Sequence, residues 1–348
     1  VKINPHRKAV ALWLYLGVFM IIVEIFLGGT TRLTGSGLSI TEWAPIMGAI
    51  PPTNQQEWEH AFSQYQQIAQ YKYLNNHFSL DDFKFIFFWE WFHRLWARLL
   101  GIVFLSGFIF FIIRRYFEKD MVLPLILLFT LGAAQGLIGW IMVKSGLNDT
   151  NLYVSHIRLA IHFMAALILL CYTLWFALQL SVPETQRISH SGFRKHTLVV
   201  LGLLAIQLTY GAFMSGLKAA PSAPTWPMIN GRWIPSAFME KSWVSDILNV
   251  QFIHRTLAYL LVILIVHWWY KAGSIWKLTS PLRTIRWFPL LFVVVQVVLG
   301  IYTILHAHVM GARKFGSYEV LAEAHQLTAI FLLISLMVSL YYLKPAKR

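Results

Sequence analysis

The chain has 348 residues, 57% of them hydrophobic and 13% charged, with a mean hydropathy of +0.58, against about 25% charged residues in an ordinary soluble domain. This composition excludes a water-soluble globular enzyme, and the net charge of +14 does not signal nucleic-acid binding, because the basic residues are scattered over short loops rather than gathered on one surface. A single cysteine, Cys171, excludes an intrachain disulfide and a thiolate metal cluster.

Eight apolar segments are long enough to cross about 30 Å of hydrocarbon: 10–29, 85–113, 121–143, 156–180, 197–216, 250–270, 287–306 and 321–342. No small-residue cleavage pattern follows the first, which therefore reads as a retained helix rather than a signal peptide. After it comes a long loop, 30–84, with Thr34-Gly35-Ser36-Gly37, then Pro51-Pro52, then an amphipathic stretch. Asn54 with Glu57 fits a capping box, and Trp58, Phe62, Tyr65 and Ile68/Ala69 recur at helical spacing. The pattern predicts a helix that lies on the membrane surface or covers a site.

The second span carries Glu90-Trp91-Phe92-His93-Arg94 and Arg98, the third Gln135 and Gly139, and the fourth His156, Arg158, His162 and Cys171. Cys171 reads as a small buried apolar residue. The fifth span holds Gln207 and Gly211; the second long loop, 217–249, has prolines at 221, 224, 227 and 235 among aromatics and reads as an irregular cap. Gln251-Phe252-Ile253-His254-Arg255 lies in the sixth span, Gln296, Gly300, His306 and His308 in or beside the seventh, and Glu323 and His325 in the eighth.

Alternate loops (1–9, 114–120, 181–196, 271–286 and 343–348) carry 16 Lys and Arg against three acids, whereas the other four carry nine of each sign. That positive-inside bias places both termini in the cytoplasm.

Internal repetition organises the rest. Odd-numbered spans share Glu24-x-x-x-Gly28, Gln135-x-x-x-Gly139, Gln207-x-x-x-Gly211 and Gln296-x-x-x-Gly300, and even-numbered spans carry His93, His162, His254 and His325. His93 to His162 is 69 residues and His254 to His325 is 71. The expected fold is an all-α integral membrane protein whose eight transmembrane helices form two pseudo-symmetric four-helix bundles, residues 1–190 and 191–348, related by an axis along the membrane normal. The repeated glycines read as close helix contacts, with the Glu or Gln one turn earlier hydrogen-bonding across them. Glu24, the acid among three amides, needs a partner or a proton.

An ionisable side chain inside a bilayer marks a functional site by default. One such histidine is as readily a packing hydrogen bond as a ligand, but four at duplicated positions ask for a shared ligand. Haem iron between two imidazoles suits a bundle; zinc would need further ligands that the second half lacks. His156 lies six residues before His162, about 240° around the helix, so the two cannot share one iron, and the repeat spacing selects His162. His306 and His308 read as interfacial. Arg94 and Arg255, directly after their histidines, suit haem propionates.

The halves differ at one informative place. Glu90, on the face of His93, corresponds to Gln251. An acid there could move protons or stabilise a developing cation, so the first half reads as reactive and the second as a fixed redox centre. Glu323, aligned with Ala160, is the weaker candidate.

Glu90-Trp91-Phe92-His93-Arg94, Ile161-His162-Phe163, Phe252-Ile253-His254-Arg255-Thr256-Leu257-Ala258-Tyr259, Glu323-Ala324-His325-Gln326 and Gly28-Gly29-Thr30-Thr31-Arg32-Leu33-Thr34-Gly35-Ser36-Gly37-Leu38-Ser39 closely resemble the haem A synthase family over nearly the whole chain. The family's cysteine-bearing branch has pairs in the long outer loops; this sequence has none there and resembles the cysteine-free proteobacterial and mitochondrial branch. The resemblance implies oxidation of a ring methyl of haem O to the formyl group of haem A for cytochrome oxidases, through two hydroxylations, in the bacterial inner membrane. It implies haem B (iron) on His254 and His325, the substrate haem iron on His93 and His162, and catalysis by Glu90. Haem O synthase and an electron acceptor or donor are its implied partners, and a homo-oligomer is compatible with it. A non-catalytic bis-histidine di-haem cytochrome and a haem-handling chaperone are the alternatives.

Overall fold

The computed structural model describes residues 4–42, 47–275, 280–311 and 314–343. Lys2, Lys277, Arg313, Lys344, Lys347 and Arg348, which enter the charge asymmetry, lie outside the described residues. Among the described residues ten α-helices follow in chain order: α1 (Pro5–Leu33), α2 (Gln55–Tyr65), α3 (Leu80–Ile113), α4 (Lys119–Lys144), α5 (His156–Ser181), α6 (Ser191–Gly216), α7 (Ile247–Ile275), α8 (Ser280–Ile285), α9 (Trp287–Leu305) and α10 (Ser317–Tyr342). Eight of them, all but α2 and the short α8, carry the spans, each long and apolar enough to cross a membrane. Among the described residues the only β pairing is the isolated bridge Ile229–Arg232.

Most of the helices outrun the apolar segments because polar caps extend them into the loops. α3 starts at Leu80, five residues before the apolar run. There the Ser79 hydroxyl accepts from Asp82 N–H at 3.3 Å and the Asp82 carboxylate accepts from Ser79 N–H at 3.0 Å, reciprocally satisfying two orphan donors. α6 is extended in the same way by His190, whose Nδ1 accepts from Phe193 N–H at 3.1 Å.

The helices repeat one set of neighbours. In the first half α1 packs on α3 and α5, and α4 on α5; Phe129 of α4 meets Phe104 and Phe108 of α3 at centroid distances of 4.6 and 5.1 Å. In the second half α6 packs on α7 and α10, α9 on α10, and α7 on α9. The halves meet through α1–α10, α5–α6 and α5–α10. Exchanging α1 with α6 and α5 with α10 maps the first of these contacts onto the second and the third onto itself, as a two-fold axis beside α5 and α10 requires.

The large apolar core lies at one end of this assembly. It runs from Val10–Ile25 of α1 through Leu167–Leu180 of α5 and Phe193–Leu208 of α6 to Ala329–Tyr341 of α10. All four repeat histidines lie beyond it, toward the opposite end. The two ends also sort the loops into two alternate sets. At the core end Arg7 pairs with Glu118 and Asp120, and Ile188 N–H donates to Tyr342 O at 2.7 Å. At the histidine end Lys314 pairs with Asp82 at 2.7 Å and Lys72 with Asp149 at 3.1 Å.

The amphipathic segment of the first long loop is helical, with the Asn54 side chain accepting from Glu57 N–H at 2.9 Å. Trp58, Phe62, Tyr65 and Ile68 pack on Phe83, Ile86 and Phe87 at the outer end of α3.

Candidate functional site: four histidine hairpins

Each helical hairpin builds the same unit. The repeat glycine of one helix faces the repeat histidine of the next. A Cβ at Gly28 would meet His93 Cε1 at 3.1 Å, at Gly139 His162 at 2.8 Å, at Gly211 His254 at 3.4 Å, and at Gly300 His325 at 2.9 Å. The close approach of helices expected at these glycines is therefore an approach of backbone to imidazole. One turn earlier, the polar residue reaches the same ring. Gln135 Nε2 lies 3.3 Å from His162 Nδ1, Gln207 Nε2 3.4 Å from His254 Nε2, and Gln296 Nε2 3.2 Å from His325 Nε2. In the first hairpin that partner is Glu24, with Oε1 3.3 Å from His93 Nδ1. The acid left unplaced in the sequence finds its partner here.

The second-half pair is gathered: the rings of His254 and His325 have centroids 6.4 Å apart and cross at 74°. That spacing suits one metal between two imidazoles, at about 2 Å per metal–nitrogen bond plus roughly 1 Å from ring centre to nitrogen on each side. His93 and His162 lie within electrostatic reach of each other in the first half. Among the described residues no three His, Cys, Asp or Glu side chains converge as a bare-ion site; paired imidazoles suit a metal that brings its own equatorial ligands, as a porphyrin does. Buried polar atoms lacking an aligned partner recur at every unit: Glu24 Oε2 and His93 Nδ1, Gln135 Oε1, Gln207 Oε1 and His254 Nδ1, and Gln296 Oε1. Orphans of this kind call for a missing ligand or water, and their fourfold recurrence beside the histidines fits haem.

Glu90 is 2% exposed, and both of its oxygens are engaged. Oε1 accepts from Arg94 at 2.6 Å, and Oε2 accepts from the Ser39 hydroxyl at 2.8 Å and Ile40 N–H at 2.9 Å. Gln251 is buried at the equivalent place and turns its amide the other way, donating to Ala219 O at 2.6 Å while Oε1 accepts from Arg255 at 2.7 Å. The Glu/Gln difference therefore matches what each outer loop presents: donors to Glu90, carbonyls to Gln251. The arginines differ as well. Arg255 spends its terminal nitrogens on Thr225 O, Met228 O, Ala223 O and Gln251. Arg94 uses one nitrogen, for Ile40 O and Glu90, and lines a cavity of about 200 Å³ with Trp140, Lys144 and Glu42. Of the two, Arg94 keeps donors available for a carboxylate.

The remaining singled-out residues do local work. His156 Nε2 lies 3.1 Å from Val244 O of the second long loop, away from the site, in line with the preference for His162. His306 and His308 place Nδ1 2.9 Å from the carbonyls of Tyr302 and Leu305 at the end of α9. Arg158 donates to Ile141 O at 3.0 Å. Glu323 is buried against Gly29 of α1 and receives Gln326 at 3.4 Å. Outside the spans, burial pushes the Tyr65 hydroxyl up to about 12; that hydroxyl joins Gln70 at 3.0 Å and Asn75 at 2.7 Å. Burial, with help from the Arg32 charge, lowers the Lys218 ammonium to about 8, where it sits 3.7 Å over the Tyr153 ring. The parts that motif reading did not find are Ser39 and Ile40, whose Gly-rich setting signals a turn and not a partner for Glu90.

Comparison with known proteins places the sequence in a family. The family described as cytochrome oxidase assembly protein matches residues 11–337. A Heme A synthase of Granulibacter bethesdensis is 39% identical over 99% of this chain and 89% of its own length. A Heme A synthase of Flavobacterium johnsoniae is 36% identical over 98% and 99%, and one of Parvibaculum lavamentivorans is 41% identical over 77% and 79%. With its spans, its duplicated histidine hairpins and this family match all covering the same length of sequence, the chain belongs to the cytochrome oxidase assembly protein family.

Proposed function

We propose that the chain acts as a haem A synthase, a multi-pass oxidoreductase of the bacterial inner membrane that converts a ring methyl of haem O to the formyl group of haem A. The observation that carries this reading is the fourfold histidine unit, with one gathered pair in the second half and an acid-backed pair in the first. Turning a methyl into a formyl group with oxygen drawn from water removes four electrons and four protons, through two hydroxylations at one carbon and loss of water. An electron acceptor outside the chain takes the electrons, and a haem O synthase supplies the substrate.

His254 and His325 are the residues that would hold a haem B, which when bound supplies one-electron transfer. His93 and His162 hold the substrate haem. Arg94, with donors to spare beside its cavity, binds a substrate carboxylate, while Arg255 fastens the loop 217–249 over the cofactor side. Glu90 keeps Arg94 oriented and places a negative charge one turn from His93, where positive charge develops as the methyl carbon is oxidised. The amphipathic helix α2 and the loop around Ser39 cover this end of α3 and limit access of water. Both termini face the cytoplasm, so the histidine end faces outward.

Bis-histidine sites also suit a di-haem electron carrier; the chemical name shared by the relatives favours the synthase. Extraction of pigments from cells expressing the chain with haem O synthase tests it. Haem A or a hydroxylated precursor is expected; unchanged haem O with intact bound haem would leave an electron carrier, and freely exchanging haem a chaperone.

A further inference from the structure

Each of the four hairpins sets a polar side chain against its histidine, at Nδ1 of His93 and His162 and at Nε2 of His254 and His325, and only one of the four is an acid. Gln135, Gln207 and Gln296 approach His162, His254 and His325 with an amide; Glu24 approaches His93 with a carboxylate oxygen at 3.3 Å. An amide offers both donor and acceptor, so a glutamine can serve either tautomer of its histidine, whereas a carboxylate offers only acceptors. Neither His93 Nδ1 nor Glu24 Oε2 has an aligned hydrogen-bond partner, so a small ring rotation completes the Nδ1–H to carboxylate bond. Gly28, whose added Cβ would meet His93 Cε1 at 3.1 Å, packs on the ring between its two nitrogens and limits that rotation.

We propose that Glu24 is a positioning residue that makes His93 the anchoring ligand of the substrate haem and leaves His162, backed by an amide, as the yielding one. The inference rests on the assignment of His93 and His162 to the substrate. Accepting the Nδ1 proton fixes the tautomer that presents the Nε2 lone pair, and a carboxylate behind an imidazole raises its strength as a ligand. In the His254/His325 pair neither partner is an acid: the amides of Gln207 and Gln296 lie against Nε2 at 3.4 and 3.2 Å, and His325 Nδ1 lies 3.1 Å from Gln296 O. A substrate must enter and leave, and an unequal pair provides one ligand that releases first.

The test uses the purified full chain carrying its second-half haem, titrated with haem O and followed by visible and electron paramagnetic resonance spectra. In the unaltered chain haem O is expected to add a second low-spin bis-imidazole signal; no second signal would overturn the substrate-site assignment and the inference together. Given that signal, Glu24→Gln is expected to weaken haem O binding by about 10–100-fold and to shift the spectrum of that site alone. Glu24→Asp should restore part of the loss. His162→Ala should retain haem O in a high-spin form, and His93→Ala should not retain it. Unaltered affinity and spectrum in Glu24→Gln would overturn the role of Glu24 while leaving the substrate site standing, and equal losses in the two histidine variants would overturn the inequality of the ligands. The second-half haem spectrum reports folding in every variant.

Discussion

Glu90 spends both oxygens on three donors from two elements, and each donor would meet an amide differently. Glu90→Gln keeps the shape but only one acceptor oxygen, so its NH2 faces either Arg94 or the Ser39 and Ile40 donors. A hydrogen bond involving a charged group contributes about 1.5–3 kcal/mol. The variant should therefore retain the haem held by His254 and His325, loosen the loop around Ser39, and reduce haem A formation at least about tenfold; visible spectra, limited proteolysis and pigment extraction read the three effects. Disappearance of the second-half haem spectrum would make Glu90 a brace for the whole bundle. Lys218 offers a residue-scale pH test. Its folded value of about 8 lies below the roughly 10.4 of an unfolded lysine, so between those values the unfolded chain binds more protons and stability rises with pH. The cost of the buried cation is fully present below about 8 and fades toward 10. Lys218→Met should accordingly melt higher than the unaltered chain at pH 7, with the gap closing across that window; a gap independent of pH would show that burial does not depress this ammonium.

At the scale of the element, the hairpin unit makes a graded prediction. A methyl group at Gly139 or Gly300 would lie 2.8 or 2.9 Å from the facing imidazole, closer than carbon atoms tolerate, whereas at Gly211 it would lie at an ordinary 3.4 Å. Overpacking of this kind costs about 1–3 kcal/mol. Gly300→Ala should displace His325 and bleach the second-half haem, while Gly211→Ala, on the other side of the same pair, should leave it nearly unchanged; equal loss in both would mean that the glycines serve the helix backbones and not the rings. The period of this unit is legible in the sequence, because glycine, its polar partner and the histidine all repeat. Its content is not, since a glycine against a helix and a glycine against an imidazole leave the same mark in the chain. The covering helix α2 was legible for the same reason of periodicity, through Asn54, Glu57 and the aromatic stripe that lands on Phe83 and Phe87. The partners of Glu90 were not legible, because a backbone N–H such as that of Ile40 has no signature in sequence, and the turn that aims it is built from Gly35 and Ser36.

For the whole molecule, the repeated neighbour relations of α1, α3, α4, α5 and α6, α7, α9, α10 make each half a bundle with its own histidine pair. Two fragments, 1–190 and 191–348, produced together should assemble through α1–α10 and α5–α6 and co-purify with haem; fragments that never associate would show that the halves need a continuous chain to pack. The eight spans follow from hydrophobic runs, a long-range feature that lipid and water impose on any sequence. The placing of the apolar core at one end, with the histidines beyond it, needs the packed structure, because every span is apolar along its length. That division frames the proposal: one end holds the bundle together, and the other carries the two histidine pairs proposed as unequal haem sites. Separating the sites tests it most directly, by pigment analysis of His93→Ala and His325→Ala in the full chain expressed with haem O synthase. His93→Ala is expected to keep the resident haem B yet form no haem A, and His325→Ala to lose the resident haem. Haem A formed in His93→Ala, or haem B lost from it while His325→Ala retains its haem, would contradict the assignment of the two halves.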